Sequence, residues 1–137
     1  MEATKLPLAS IFTGHRVFDI PFYQRSYVWK KEQWERFLED MEFVSLESKD
    51  YFLGSAILKQ QNLNMGVTAD HRTVIDGQQR FTTIVIFCKA LCLKTGELDE
   101  FDRYFMVRNK KEGTKKCALV HSMNDRKDFE QVVSLTE

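Results

Sequence analysis

The stretch Val74 to Phe87, VIDGQQRFTTIVIF, constrains the fold more than any other part of the chain. It begins like the end of a buried strand, turns on Asp76 and Gly77, and opens with Gln78, Gln79 and Arg80 into a helix that runs to about Lys94, where Gly96 supplies a stop. That helix is apolar nearly all round, so other elements must cover it on several sides, which predicts a buried central helix fed by a strand. Gly77 permits a tight turn at positive φ, and Asp76 is the candidate N-cap. The two amides and the arginine sit where backbone N–H groups are unpaired, which is a place to bind an anion.

The remaining elements are arranged around this unit. A chain of 137 residues suits one domain, and eleven Phe in a composition that is 43% hydrophobic can build its core. Leu6 to Thr13 reads as a short helix or turn, and Arg16 to Ile20 as a strand that Pro21 ends. From Lys31 to Leu46, Trp34, Phe37, Leu38, Met41 and Val44 keep helical spacing, so that helix should pack by one face with Glu32 and Arg36 paired outside. Tyr51 to Leu58, YFLGSAIL, has the length and apolarity of a central strand, and Gly54 within it signals close approach of another backbone or a ligand. Gln60 to His71 reads as a surface loop and Arg72 to Ile75 as the next strand. Phe101 to Arg108 and Cys117 to Ser122 read as strands flanking the basic loop NKKEGTKK, and Asp125 to Ser134 as a last helix. Phe129, Val132 and Val133 on that helix want a partner, an expectation that the 137 residues belong to a longer protein. The class is α+β.

Charge and cysteine content narrow the function. Twenty Lys+Arg balance twenty Asp+Glu, so no global field draws the chain to a polyanion and any such contact is local. The Met1 end has no signal pattern, and Ile84 to Leu93 contains Lys89 and is shorter than the roughly 20 residues of a membrane span; the expectation is a cytoplasmic protein with no membrane partner. Three cysteines are an odd number, which argues against a disulfide framework. Cys88 and Cys92, with Cys117 and His121, have spacings from which a four-ligand zinc site can be imagined, but thiols in an apolar helical run behave as core hydrophobes and no zinc is expected. His15, His71 and His121 lie in unrelated contexts.

At the turn itself, a purely structural reading makes Asp76 and Gly77 a helix cap. The functional reading adds that Gly77 lets a phosphate approach the backbone, that Gln78, Gln79 and Arg80 supply donors, and that Arg80 can grip an anion bidentately. No Walker or Rossmann glycine pattern occurs. A second cluster, IPFYQRSYVWKKEQW from Ile20 to Trp34, holds Tyr27, Trp29 and Trp34, which suit a hydrophobic mini-core. Gln24 and Arg25 fit that role less well, and Arg25 aimed at the same anion as Arg80 would make a two-point clamp.

The segments IPFYQRSYVW, QWERFLED, YFLGSAIL and VIDGQQRFTTIVIF, in that order and spacing, resemble the N-terminal DGQQR-motif domain of GmrSD-type modification-dependent restriction proteins. The resemblance covers most of Leu8 to Leu93 and, more loosely, NDRKDFEQVV. It implies a ParB/sulfiredoxin-like α+β fold with a small mixed sheet, in which the turn binds and helps hydrolyse a nucleoside triphosphate with Mg²⁺. In that family this activity controls a DNA-cleaving domain further along, often of the His-Asn-His type, directed at modified phage DNA. Carried over by position, Asp76, Gln78, Gln79 and Arg80 are the candidate catalytic residues, and Tyr23, Gln24, Arg25, Gly77 and Arg80 the nucleotide-binding ones. Asp76 is the candidate Mg²⁺ ligand and equally the candidate helix cap, while Gln78 or Gln79 would orient the attacking water. Phe81 departs from the aliphatic residue common at its position, and no His-Asn-His signature is present up to Glu137. The resemblance therefore implies a domain that is weak or inactive as an NTP hydrolase in isolation, meets DNA through a missing C-terminal region, and cuts no DNA itself. Homo-oligomerisation stays open. Two rival readings are a non-catalytic DNA-binding module using Arg25, Arg80 and the NKKEGTKK loop, and a partner-binding ParB-like module.

Overall fold

The computed structural model describes residues 3–12, 16–48, 50–61, 70–108 and 113–137. In chain order these form α1 (Leu8–Ile11), β1 (Arg16–Asp19), α2 (Lys31–Glu47), β2 (Ile57–Gln60), β3 (Asp70–Asp76), α3 (Gln78–Thr95), α4 (Leu98–Phe105), β4 (Met106–Arg108), β5 (Lys115–Cys117), β6 (Leu119–Val120) and α5 (Met123–Val133). The fold is α+β. A mixed four-stranded sheet has the order β2-β3-β1-β6, with β1 parallel to both β3 and β6 and β2 antiparallel to β3; β4 and β5 form a separate antiparallel pair.

The centre of the molecule is aromatic. Phe18 of β1, Phe12 and Phe81 meet edge to face with centroids 5.1 to 5.5 Å apart, an arrangement that sets ring edges against ring faces. Val74, Val85, Phe101, Phe105, Leu119 and Phe129 complete this core. Residues 81–85 of α3 are buried on every side, as an all-round apolar helix requires, whereas Leu91 further along is 49% exposed. The predicted mini-core exists too: Trp29, Trp34 and Phe37 contact one another at 6.0 to 6.1 Å, and Phe37 continues to Phe87 of α3 at 5.3 Å.

Several expectations need correction. YFLGSAIL is not a central strand: only Ile57 and Leu58 are in β2, at the edge of the sheet, because Gly54 at φ +124° breaks the extended run and pairing with β3 is irregular between Ile57 and Leu58. Residues 101–105 are helical. Leu98, Phe101 and Phe105 recur at helical spacing and stack Phe101 on Phe105 at 5.1 Å, so the strand is confined to Met106–Arg108. Cys117 to Ser122 is divided between β5 and β6, interrupted at Ala118, whose N–H donates to the Phe105 carbonyl at 2.7 Å. The apolar face of α2 turns inward but holds no fully buried residue, and its first-turn ion pair is Lys31 with Glu35 at 3.7 Å, not Glu32 with Arg36. Most of the expected 60–71 loop, part of NKKEGTKK and His15 lie outside the described residues, while Asp70 and His71 belong to β3. Among the described residues no helix is long and apolar enough to cross a membrane.

Candidate functional site

The turn from β3 into α3 is built on Gly77, which is itself the N-cap at φ +105°. A Cβ there would lie 2.9 Å from the Ala56 Cβ and 3.2 Å from its Cα, so a side chain is excluded by both backbone conformation and space. Asp76 consequently falls one residue outside the helix; it is exposed, and no side-chain hydrogen bond caps α3. The cap role expected for Asp76 is therefore not realised. The N–H groups of the first turn keep their capacity for an outside acceptor.

Residues 20–29 are stitched across this turn. Gln24 Nε2 donates to the Ile75 carbonyl at 3.0 Å. Gln79 Nε2 donates to the Ser26 carbonyl at 3.1 Å while its Oε1 accepts from the Val28 N–H at 3.0 Å, so both ends of that amide are engaged with main chain. Tyr27 Oη and Thr83 Oγ1 are hydrogen-bonded at 2.8 Å, and the Tyr27 N–H donates to Asp125 Oδ2 of α5 at 2.8 Å. Gln24 and Gln79 thus spend their side chains on holding the chain, and Gln78 is the motif amide whose side chain has no hydrogen-bond partner among the described residues. Tyr23 stands 65% exposed against Phe22.

Between these stitches lies a small hollow lined by Arg25, Gln78, Thr82, His121, Ser122 and Asp125, among others. Ser122 is the N-cap of α5 and, like Gly77, makes no side-chain cap. Two helix N-termini therefore converge on one hollow, each bringing unpaired N–H groups and the positive end of its dipole. His121 is 4% exposed and packs on Phe129 with ring centroids 4.1 Å apart. Its Nε2 lies 2.8 Å from Thr82 Oγ1, whose own proton goes to the Gln78 carbonyl at 2.8 Å. A hydroxyl has one proton, so Nε2 carries the hydrogen and Nδ1, buried and without a partner, is a bare acceptor. Burial pushes the His121 pKa down to about 4, opposed by the Asp125 carboxylate, and the ring is neutral at pH 7.

Arg80 is not in this hollow. Helical rotation of about 100° per residue separates it from Gln78 and Thr82 and places it with Thr83 and Ile84 on a cleft of about 460 Å³ facing α2. The expected clamp of Arg25 and Arg80 on one anion is not formed, since each lines a different recess. Asp76 lines neither. Among the described residues no group of three or more His, Cys, Asp and Glu is placed to hold a metal ion. Burial raises Cys88 and Cys117 to about 11, so both are protonated thiols; His71 pairs with Asp19 at 3.3 Å and lines neither recess.

His121, Thr82 and Asp125 were not among the site residues expected from sequence. NDRKDFEQVV carries a faint signal for Asp125, and in the sequence His121 stands out only through its spacing in the imagined zinc set with Cys88, Cys92 and Cys117. Comparison with curated proteins gives no match. The profile described as GmrSD restriction endonuclease, N-terminal domain, matches residues 8–137, which takes in the 94–137 portion that the four motifs left out. Because that match spans the β3–α3 turn, the segment stitched over it and the α5 start that closes the hollow, the chain belongs to the family of the GmrSD restriction endonuclease N-terminal domain.

Proposed function

We propose that the domain binds a nucleoside triphosphate with its phosphates at the hollow between α3 and α5, and that this binding regulates the nuclease of a restriction system. Membership of the family supports the role in restriction and phage defence. The observation that carries the nucleotide reading is the convergence of two N-termini without side-chain caps on one hollow that also holds Arg25 and Gln78. Unpaired N–H groups and aligned dipoles favour an anion at such a place, and a guanidinium adds a charge-assisted fork. The hollow is about 10 Å³, room for a single water, so the phosphates sit at its mouth and the exposed Arg25 closes on them.

His121 has a separate task. A bare neutral nitrogen repels a phosphate oxygen and accepts from a hydroxyl or a water, so Nδ1 favours an O–H group of the ligand or the water beside it. Gln78, with an amide able both to donate and to accept, orients the attacking water if hydrolysis occurs. Mg²⁺ when bound neutralises phosphate charge. Asp125 fits it through its second carboxylate oxygen, the first being held by Tyr27, since Mg²⁺ commonly takes one or two carboxylates together with phosphates. Asp76 does not fit, being outside the hollow.

Calorimetric titration with nucleoside triphosphates and Mg²⁺ tests the reading. Heat with at least one nucleotide at sub-millimolar affinity, and turnover slow in this domain alone, is the expected result. Absence of binding for every nucleotide at millimolar concentration overturns it.

A further inference from the structure

Helix α2 is held to the body along one seam and is uncovered elsewhere. None of its 17 residues is buried. It leans on the molecule through Trp34 and Phe37, which meet Trp29, and through the contact of Phe37 with Phe87 of α3. Away from that seam, at about 100° per residue, Leu38, Glu42 and Leu46 form one ridge, with Glu35, Glu39 and Phe43 beside it. Leu46 is 78% exposed, Phe43 59% and Leu38 46%. Single exposed apolar side chains are ordinary, but three within little more than two turns of one helix make a surface that a partner can cover. Tyr51 Oη donates to Asp40 at 2.9 Å, which brings the following segment alongside α2, and Phe52 next to it is also open to solvent.

Charge decides what can cover it. The chain as a whole balances twenty acidic against twenty basic residues, yet α2 carries six carboxylates and two cations. Of those cations, Lys31 is paired with Glu35 at 3.7 Å and Arg36 faces the cleft, while Glu39 and Glu42 have no ion pair or hydrogen bond among the described residues. A second copy laid on this ridge would set carboxylates against carboxylates, and a nucleic acid or an anionic membrane would be repelled in the same way. A basic helix meets no such cost. We propose that the Leu38–Glu42–Leu46 ridge docks a cationic amphipathic helix of a partner protein, whose apolar side chains cover Leu38, Phe43 and Leu46 while its flanking Lys or Arg meet Glu35, Glu39 and Glu42. The proposal is independent of the nucleotide reading, since none of these six side chains lines the hollow or the cleft.

The probe is a labelled synthetic peptide of about 18 residues, with leucines at helical spacing and lysines elsewhere, followed by fluorescence anisotropy as the whole chain is titrated in. Saturable binding is expected, weakening as salt rises, because exposed charges are screened beyond about 8 Å at physiological ionic strength. The combined variant Glu35→Gln, Glu39→Gln and Glu42→Gln should weaken it roughly ten-fold or more, as should Leu38→Ser with Leu46→Ser, while Glu130→Gln on α5 leaves it unchanged. All these positions are exposed, so melting temperatures should hold and a weakened variant is not an unfolded one. The same peptide with glutamates in place of lysines should not bind. The proposal is overturned if the lysine and glutamate peptides bind alike, if neither binds at millimolar concentration, or if the glutamine variant binds as the parent does. It is likewise overturned if the chain self-associates, or takes up phosphatidylserine vesicles, and the Leu38→Ser, Leu46→Ser variant abolishes that behaviour. Triphosphate binding should be unchanged by every one of these substitutions, so its failure bears on the nucleotide reading alone.

Discussion

His121 shows how much one buried ring can decide. Burial holds its folded pKa at about 4, below the ordinary histidine value of 6.5, so the fold favours the neutral ring. The unfolded chain then binds more protons between those two values, and the stabilisation present above about pH 6.5 is lost as pH falls towards about 4. A shift of that size corresponds to about 3 kcal/mol. Thermal melts between pH 4 and 7 should show this decline, and His121→Gln should flatten it. Arg25 makes the opposite kind of contribution, because it is exposed and supports no core. Arg25→Ala should keep the melting temperature and weaken triphosphate binding by about 1.5 to 3 kcal/mol, with Arg25→Lys recovering part. Neither residue's task was fully legible in sequence. An amide or guanidinium reads identically whether it faces a ligand or a carbonyl, which is why Gln24 and Gln79, both taken up by main chain, looked like ligand donors.

Among the elements, those with one dominant signal were legible and those with two competing signals were not. The spacing of Trp34, Phe37, Met41 and Val44 located α2, and the apolar run closed by Gly96 located α3. YFLGSAIL carried a strand composition and a breaking glycine together, and the glycine prevailed because Arg80 occupies the space beside it. In 98–105, aromatic richness suggested strand while the Leu98, Phe101, Phe105 spacing dictated helix; burial of both Phe against the core settled the competition. The strap over α3 depends on Gln79 in the same physical way. Gln79→Leu would leave the Ser26 carbonyl and the Val28 N–H without their partner, and should destabilise the domain by about 1 to 3 kcal/mol in denaturant melts.

For the whole molecule, the meeting of residues 20–29 with the turn at 76–80 was foreseeable from sequence, while the arrival of α5 was not, since Tyr27 and Asp125 are 98 residues apart. The equal numbers of acidic and basic residues, twenty each, leave recognition of any polyanion to local groups. The family resemblance carries the expectation that this chain cuts no DNA itself, so supercoiled plasmid should stay intact with it under divalent cations, as gel assays would show.

The Tyr27 to Asp125 bond has a further use. It puts a backbone amide from early in the sequence under the control of a carboxylate on the final helix, so that amide works as a reporter of helix docking. Hydrogen exchange at the Tyr27 amide should be slow in the parent and fast in Asp125→Ala, with the amides of residues 81–85 still protected. Any event that draws α5 away from the turn would then be visible as one exchanging proton, without a label and without knowledge of the ligand.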